Sequence, residues 1–194
     1  MWFVAPRDRP IRICFLVPSR PTVRKYHDLR YIGDVEPTKV EEGVYCVVER
    51  LEDTGHYAYI ARTSDGGYDV VNLHVVDPSS PPETISTYVM VTHEEGSPPE
   101  SALLVGPEDE EAVNVSRLEA EVSYVGPITL SFDLYWLKVI WSDGMELVVP
   151  MIPFVVAVRG VEVPAREVKR VYMWAMLQLV LGERRILPVV ETLG

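Results

Sequence analysis

The stretch that decides the fold runs from residue 44 to residue 76 and reads VYCVVERLEDTGHYAYIARTSDGGYDVVNLHVV. Three runs rich in Val and Tyr, at 44–51, 56–63 and 68–76, carry apolar residues in the alternating pattern of strands. The two segments between them each contain an Asp and a Gly, residues that tight hairpin turns favour. The stretch therefore predicts an antiparallel meander of three strands.

Similar runs extend this pattern along the rest of the chain. Further strands are predicted at 1–18, 85–92, 103–105, 113–124, 128–141, 145–149, 154–158, 161–163 and 186–190. The composition agrees, because 32 Val against 16 Leu favours pleated sheet, and 16 Pro favour turns over long helices. We therefore predict a mainly β chain, an antiparallel sandwich or barrel with the jelly roll among its variants.

A short helix is predicted near the N-terminus, within residues 19–34. Pro21 stands near its start and Gly33 after its end, as is usual for helices. Apolar residues follow at helical spacing, namely Val23, Tyr26, Leu29 and Ile32.

A second helix is predicted over residues 164–182, and it is the first candidate for a partner interface. From 171 to 181 only Gln178 is polar, and a helix that is apolar on every side must be buried on every side. Three surfaces are the alternatives that would bury this helix, namely its own domain, another subunit or a membrane surface. At 1.5 Å per residue, the apolar part is about 16 Å long, too short to span a bilayer. The candidate interface residues are Tyr172, Met173, Trp174, Met176 and Leu177.

We predict one domain over residues 1–194, with its charges divided along the chain. Residues 1–30 contain seven bases and two acids, whereas residues 94–121 contain nine acids and one base. One interpretation is scattered surface charge. The other is pairing of the basic segment of one subunit with the acidic segment of the next, with Arg7, Arg9 and Arg12 as interface candidates.

The net charge of −11 argues against a general nucleic-acid binder and against docking on anionic membranes. No apolar run reaches the ~18–20 residues of a membrane span, and the N-terminus lacks the order of a secretory signal. We therefore predict no transmembrane segment, and a location in the cytoplasm or in an assembled particle. Only two Asn and one Gln, together with many prolines, favour a thermophilic host.

The two cysteines, Cys14 and Cys46, lie in apolar runs that are typical of strands. We predict two buried free thiols. The alternative is one disulfide between neighbouring strands.

Motifs that carry chemistry are scarce. The sequence has no phosphate-binding Gly-Lys-Ser/Thr loop, no G-x-S-x-G, no C-x-x-C and no H-E-x-x-H. His74, His93 and Glu94 are weak candidates for a metal site, and no cofactor is predicted. A small-ligand or catalytic site would draw on His56, His74, Asp77, His93 and Glu94. The acidic run 108–111 is interpreted as a solvated face rather than a cation site.

Three functions remain open at this point. The one we favour is a non-enzymatic structural protein, a self-associating β-sandwich subunit of the coat or appendage kind. The second is a protein-binding or regulatory module that docks through its C-terminal helix. The third is an enzyme that binds a small ligand or a metal.

Overall fold

The computed structural model describes residues 1–80, 82–131, 133–151, 153 and 190–192. Within these residues the chain forms strands and turns but no helix, which confirms the prediction of a mainly β protein. Accordingly, the described part contains no helix long and apolar enough to cross a membrane. The predicted helix over 164–182 and the predicted strands at 154–158, 161–163 and 186–189 lie outside the described residues.

The strands form four sheets. Sheet A has the order β1-β8-β7-β3-β4, from Trp2–Pro6, Tyr68–Val76, Gly55–Arg62, Thr22–His27 and Arg30–Val35. Sheet B has the order β16-β2-β6-β5, from Val190–Thr192, Pro10–Leu16, Val44–Arg50 and Thr38–Glu41. Sheet C has the order β12-β13-β9, from Val115–Glu119, Val122–Leu130 and Ile85–Thr92. Sheet D has the order β11-β10-β14-β15, from Glu110–Val113, Ser101–Val105, Tyr135–Ile140 and Glu146–Met151.

The three strands predicted within residues 44–76 are present as β6, β7 and β8, but only β7 and β8 form the predicted hairpin. The meander is wrong at its first turn, because β6 pairs with β2 and β5 in sheet B and the chain crosses to sheet A after it. At the β7–β8 turn, the Thr63 N–H donates to the Gly67 carbonyl over 2.9 Å, and Gly66 has a φ of 89°. One pairing departs from the antiparallel expectation. Strand β1 lies parallel to β8, from Trp2 beside Asn72 to Pro6 beside Val76, while every other ladder between described strands is antiparallel.

Sheets A and B pack face to face around the first core. It contains fully buried residues from both sheets, among them Ile13, Phe15, Val47, Tyr59, Val71 and Leu73. Alternate residues of β2 and β7 point into this core, as the period of two requires.

Sheets C and D pack around a second core. Its members include Ile85, Val89, Val125, Leu130, Leu137 and Val139. Strand β1 belongs to both cores, since Ala5 packs in the first and Trp2 in the second.

Sheet A is covered on both faces, because its second face meets sheet C. The residues of this contact, which we call the seam, are Tyr26, Ala58, Ile60, Met90 and Val122. The seam is a third apolar cluster, separate from the two cores.

The short helix predicted within 19–34 is wrong, because strands β3 and β4 form a hairpin there. The helical spacing arose from a strand that is buried on both sides. Val23 points into the first core and Tyr26 into the seam, so apolar residues occur on both faces. Asp28 and Leu29 make the turn with φ of 43° and 67°.

Three predicted strands are also corrected. The leading run 1–18 divides into β1 and β2, and the run 113–124 divides into β12 and the start of β13. The run 128–141 divides between the end of β13 and β14. Between β13 and β14, apolar residues continue across the turn, so alternation alone did not mark that break. Between β1 and β2, the break coincides with the charged residues Arg7, Asp8 and Arg9.

Cys14 and Cys46 form a disulfide, which corrects the prediction of free thiols. The two residues are direct cross-strand partners on β2 and β6, with Cα atoms 4.1 Å apart. Both are buried on the face of sheet B that points away from the first core.

Candidate functional site

The seam carries a row of polar side chains on the second face of sheet A. Side chains alternate along β7 and β8, so His56 shares its face with Ala58, and Asn72 shares its face with His74. His56 is the cross-strand partner of His74, and Ala58 is the partner of Asn72. All three polar residues are buried. Burying a polar group without a hydrogen-bond partner costs free energy, so the hydrogen bonds of these three side chains matter for the stability of the seam.

Asn72 caps the free edge of strand β9. The Met90 N–H donates to Asn72 Oδ1 over 2.8 Å, and Asn72 Nδ2 donates to the Met90 carbonyl over 3.0 Å. The His93 N–H donates to the Glu121 carbonyl, which sets the ladder so that Met90 and Tyr124 face each other without mutual hydrogen bonds. The polar backbone groups of Met90 therefore point away from β13, and the Asn72 amide takes the place of a neighbouring strand.

The same amide fixes the proton on His56. Asn72 Oδ1 lies 2.8 Å from His56 Nε2. The Met90 backbone identifies this atom as the amide oxygen, an acceptor, so His56 Nε2 carries the hydrogen. His56 Nδ1 is then the basic nitrogen, and it is buried without a hydrogen-bond partner among the described residues.

His74 sits beside His56 in the same environment. It is 9% exposed, His56 is 1% exposed, and His74 Nδ1 is likewise buried without a partner among the described residues. Burial lowers the pKa of His56 to about 4. Burial, with added repulsion from His56, lowers the pKa of His74 to about 4. Both imidazoles are therefore neutral at pH 7.

Charged residues close one side of the seam. Glu119 accepts a hydrogen bond from Arg24 over 2.7 Å and one from the Tyr26 hydroxyl over 2.9 Å. The Arg24 guanidinium also lies 4.5 Å from the centroid of the Tyr31 ring, a cation–π contact. Burial, with the bond to Glu119, raises the pKa of Tyr26. Sheet A is thus tied to the end of β12 by an ion pair and by a hydrogen bond from a neutral phenol to the same carboxylate.

A second ion pair joins Arg62 of β7 to Glu121, in the turn before β13. The hydrogen bond from Arg62 lowers the pKa of Glu121. A cleft of about 140 Å³ opens here, lined by Arg24, Tyr26, Ile60, Arg62, Glu119 and Glu121. Ligand pockets usually hold about 300–1,000 Å³, so this cleft admits a few waters or a very small ion. Its two guanidinium groups are already paired with carboxylates.

The predicted site residues come together only in part. His56 and His74 are neighbours across the β7–β8 ladder, whereas His93 forms its hydrogen bonds with Glu94 and Ser123. His93 Nδ1 donates to the Glu94 carbonyl over 2.9 Å, so its Nε2 accepts the hydrogen bond from the Ser123 hydroxyl, also over 2.9 Å. Among the described residues, no group of three His, Cys, Asp or Glu is placed to hold a metal ion.

The remaining predicted residues are on the surface or outside the described part. Asp77 accepts hydrogen bonds from the backbone N–H and the hydroxyl of Ser79. It also forms an ion pair with Arg7 at 3.0 Å. Arg9 is exposed, and Arg12 lies half-buried on β2. The helix candidates Tyr172, Met173, Trp174, Met176 and Leu177 lie outside the described residues.

The sequence analysis missed Asn72, the residue on which the seam depends. Its signal was present, since Asn72 is the one amide in the alternating run 68–76, where it holds a position on the same face as His74. Glu119 and Glu121 gave no such signal, because they belong to a long acidic segment without a pattern.

No family model and no curated protein matches the chain. Among solved structures, it is similar to the SGBP-B protein of the Bacteroides ovatus mixed-linkage glucan utilization locus, with 13% identity and a TM-score of 0.24, over 74% of this chain and 38% of that one. It is also similar to a pullulanase from Anoxybacillus sp. LM18-11, with 13% identity and a TM-score of 0.22, over 70% and 24%. The third likeness is to DIP-gamma IG1+IG2, with 14% identity and a TM-score of 0.27, over 76% and 90%. The chain thus spans well under half the length of the first two proteins, and TM-scores this low support no inference about fold or function.

Proposed function

We propose that the chain is a non-enzymatic assembly subunit of β-sandwich or jelly-roll architecture, whose copies associate through strand β15. The observation that carries this proposal is the apolar surface of that strand. Leu147 and Val148 of the strand are apolar and exposed, at 42% and 44%, and so is Met145 directly before it, at 61%. Soluble proteins usually protect sheet edges from such exposure, and apolar edges are recurrent sites of strand addition.

The hydrogen bonding of β15 defines which groups are available. The Trp141 N–H donates to the Met145 carbonyl, so the odd-numbered residues of β15 bond to β14. The backbone groups of Glu146, Val148 and Pro150 therefore point away from β14. Pro150 has no N–H to lose in this position, which explains its presence in a strand. No described strand lies on this side of β15, so Glu146 and Val148 offer complete donor and acceptor pairs to a partner strand.

A second copy of β15 is the partner that suits this edge best. Antiparallel pairing that brings Glu146 opposite Val148 of the other copy completes four hydrogen bonds and separates the two carboxylates. The other outer strand of sheet D, β11, carries the adjacent Glu110 and Glu111. Since the chain has a net charge of −11, contacts between acidic edges are unfavourable.

The test is the absolute mass in solution, measured by light scattering after size exclusion from micromolar to submillimolar concentration. We expect a dimer or larger species whose association does not weaken with salt. Val148→Lys places a charge on the pairing face and is expected to weaken association at least tenfold. Val40→Lys is the matched control, because Val40 is 50% exposed on another outer strand, β5.

Three outcomes would redirect the proposal. A monomer at every concentration contradicts self-association. An oligomer that dissociates with salt favours pairing of the basic segment with the acidic one. An oligomer that Val148→Lys leaves intact favours another surface, such as the predicted helix at 164–182.

The thermophilic host and the single domain over 1–194 remain proposals. A melting temperature above about 80 °C would support the first, and one cooperative unfolding transition would support the second.

A further inference from the structure

We propose that the seam is an acid-operated latch, in which protonation of His56 and His74 releases strand β9 from sheet A while both cores stay folded. This inference is independent of association through β15. It rests on where the two imidazoles lie and on what surrounds their free nitrogens.

A proton at Nδ1 of either imidazole has no acceptor among the described residues. His56 Nδ1 and His74 Nδ1 are both buried there without a hydrogen-bond partner. The two rings are also direct cross-strand neighbours, a position in which Cβ atoms are about 4.5–5.5 Å apart. Two imidazolium ions would therefore repel each other across the ladder, and each would carry an unpaired charge in an apolar contact.

The groups around the pair offer little compensation. From the β3–β4 turn, Asp28 and His27 act on the pair, and Asp28 Oδ1 accepts the backbone N–H of His56 over 3.0 Å. From β9, the Tyr88 ring contacts His56 edge to face, with centroids 5.9 Å apart. The neighbour of His74 on β1 is Val4. The one carboxylate that acts on the pair is therefore Asp28, which is exposed to solvent.

The polar links across the seam between described residues are few, and one of them is made by Trp2, which also belongs to the second core. They are the two Asn72–Met90 hydrogen bonds, the Trp2–Thr87 bond of 3.2 Å, the Tyr26–Glu119 bond and the ion pairs Arg24–Glu119 and Arg62–Glu121. The first core lies between sheets A and B, and the second lies mainly between sheets C and D. Sheets A and C can thus separate while both pairs of sheets keep most of their buried apolar surface.

The direction and size of the effect follow from the imidazole pKa values. In the closed seam, the pKa of each histidine is about 4, whereas a solvated histidine titrates near 6.5. The open form therefore binds more protons between pH 6.5 and 4, and acid favours it. At pH 5, one imidazole alone shifts the ratio of open to closed form by about 20-fold relative to pH 7, and two independent imidazoles shift it several hundred-fold.

Hydrogen–deuterium exchange with mass spectrometry tests the latch on the full chain. The reporter is the β9 peptide, where Asn72 protects the Met90 amide. His56→Gln with His74→Leu removes both titrating rings and keeps an amide donor toward Asn72. At pH 5, the wild-type β9 peptide is expected to exchange several hundred-fold faster than in this variant, because both titrating rings are removed. At pH 7, the two proteins are expected to agree.

His27→Gln is the comparison variant, because it removes an imidazole that lies outside the seam and keeps His56 and His74. Since His27 repels a charge on His56, this variant is expected to keep most, but not all, of the wild-type acceleration at pH 5. The β6 peptide reports on the first core and is expected to stay protected at pH 5. Equal β9 exchange in the wild type and the double variant at pH 5 would overturn the proposal. Simultaneous loss of protection in β6 and β9 would also overturn it, since that is global unfolding. If circular dichroism shows the double variant unfolded, His74→Leu alone gives the same comparison with a smaller ratio.

Discussion

Replacement of Asn72 by Ala should show how much of the stability depends on the seam. The change removes one side chain and leaves three buried polar groups without partners, namely the Met90 N–H, the Met90 carbonyl and the His56 Nε2–H. Each unsatisfied buried group costs about 1–3 kcal/mol. Because the space left by the amide admits water, we take the lower value for each group. The free energy of unfolding should therefore fall by about 3 kcal/mol.

Urea denaturation provides the assay. With a slope of roughly 2 kcal/mol per molar urea, the midpoint should move down by about 1.5 M. Tryptophan fluorescence and far-ultraviolet circular dichroism should be followed together, so that a separate transition of one sheet pair is seen if it occurs.

Asn114→Ala is the matched control, since the chain has two asparagines and Asn114 is exposed. Its midpoint should stay within the error of the wild type. A loss below about 1 kcal/mol for Asn72→Ala would refute the reasoning, because a single unsatisfied buried group already costs that much. The edge of β9 would then be held by the apolar contacts of the seam rather than by the amide.

Three further predictions concern the disulfide, one glycine and the response to acid. Replacing Cys14 and Cys46 together by Ser should lower the free energy of unfolding by about 3.5 kcal/mol, the loop-closure value for a separation of 32 residues, as measured by urea denaturation; an unchanged midpoint would contradict it. Gly55→Ala should cost about 3 kcal/mol, because φ is 118° and the new Cβ would lie 2.9 Å from an Asp28 oxygen, whereas Gly66→Ala, at φ 89° with open space around it, should cost about 1 kcal/mol; equal losses would be inconsistent with the close contact. The unfolded chain binds more protons than the folded one between pH 6.5 and 4, so the free energy of unfolding should fall as the pH is lowered, by about 2 kcal/mol per seam histidine at pH 5. His74→Leu should remove close to half of this pH dependence. An unaltered pH dependence would count against the lowered pKa of His74 as its cause.

The parts of the fold that the sequence predicted are those governed by local chemistry. Strand β8 occupies residues 68–76 and β9 occupies 85–92, as predicted, because Gly-containing or Pro-rich turns bound each alternating run. The hairpin β3–β4 was mistaken for a helix because its residues are apolar on both faces. That pattern depends on sheet C covering sheet A, a contact between distant parts of the chain that periodicity does not report.

The candidate site was only half predicted, for a related reason. The histidines His56 and His74 were recognised as chemically notable, yet their meaning depends on burial and on the partner of each ring nitrogen. Asn72 acts through the backbone of Met90, 18 residues further on and in another sheet. Such a contact follows from the packing of two sheets, so no short motif contains it.

The parallel pairing of β1 with β8 also constrains the order in which the chain can fold during its synthesis. Strand β1 leaves the ribosome before the other strands of sheet A, but Asn72, the partner of Trp2, is made 70 residues later. At roughly 10 residues per second, this delay is about 7 s. Throughout it, the apolar run Trp2-Phe3-Val4 has no neighbouring strand to pair with. Nascent sheet A is therefore completed last at the strand of that sheet that was translated first.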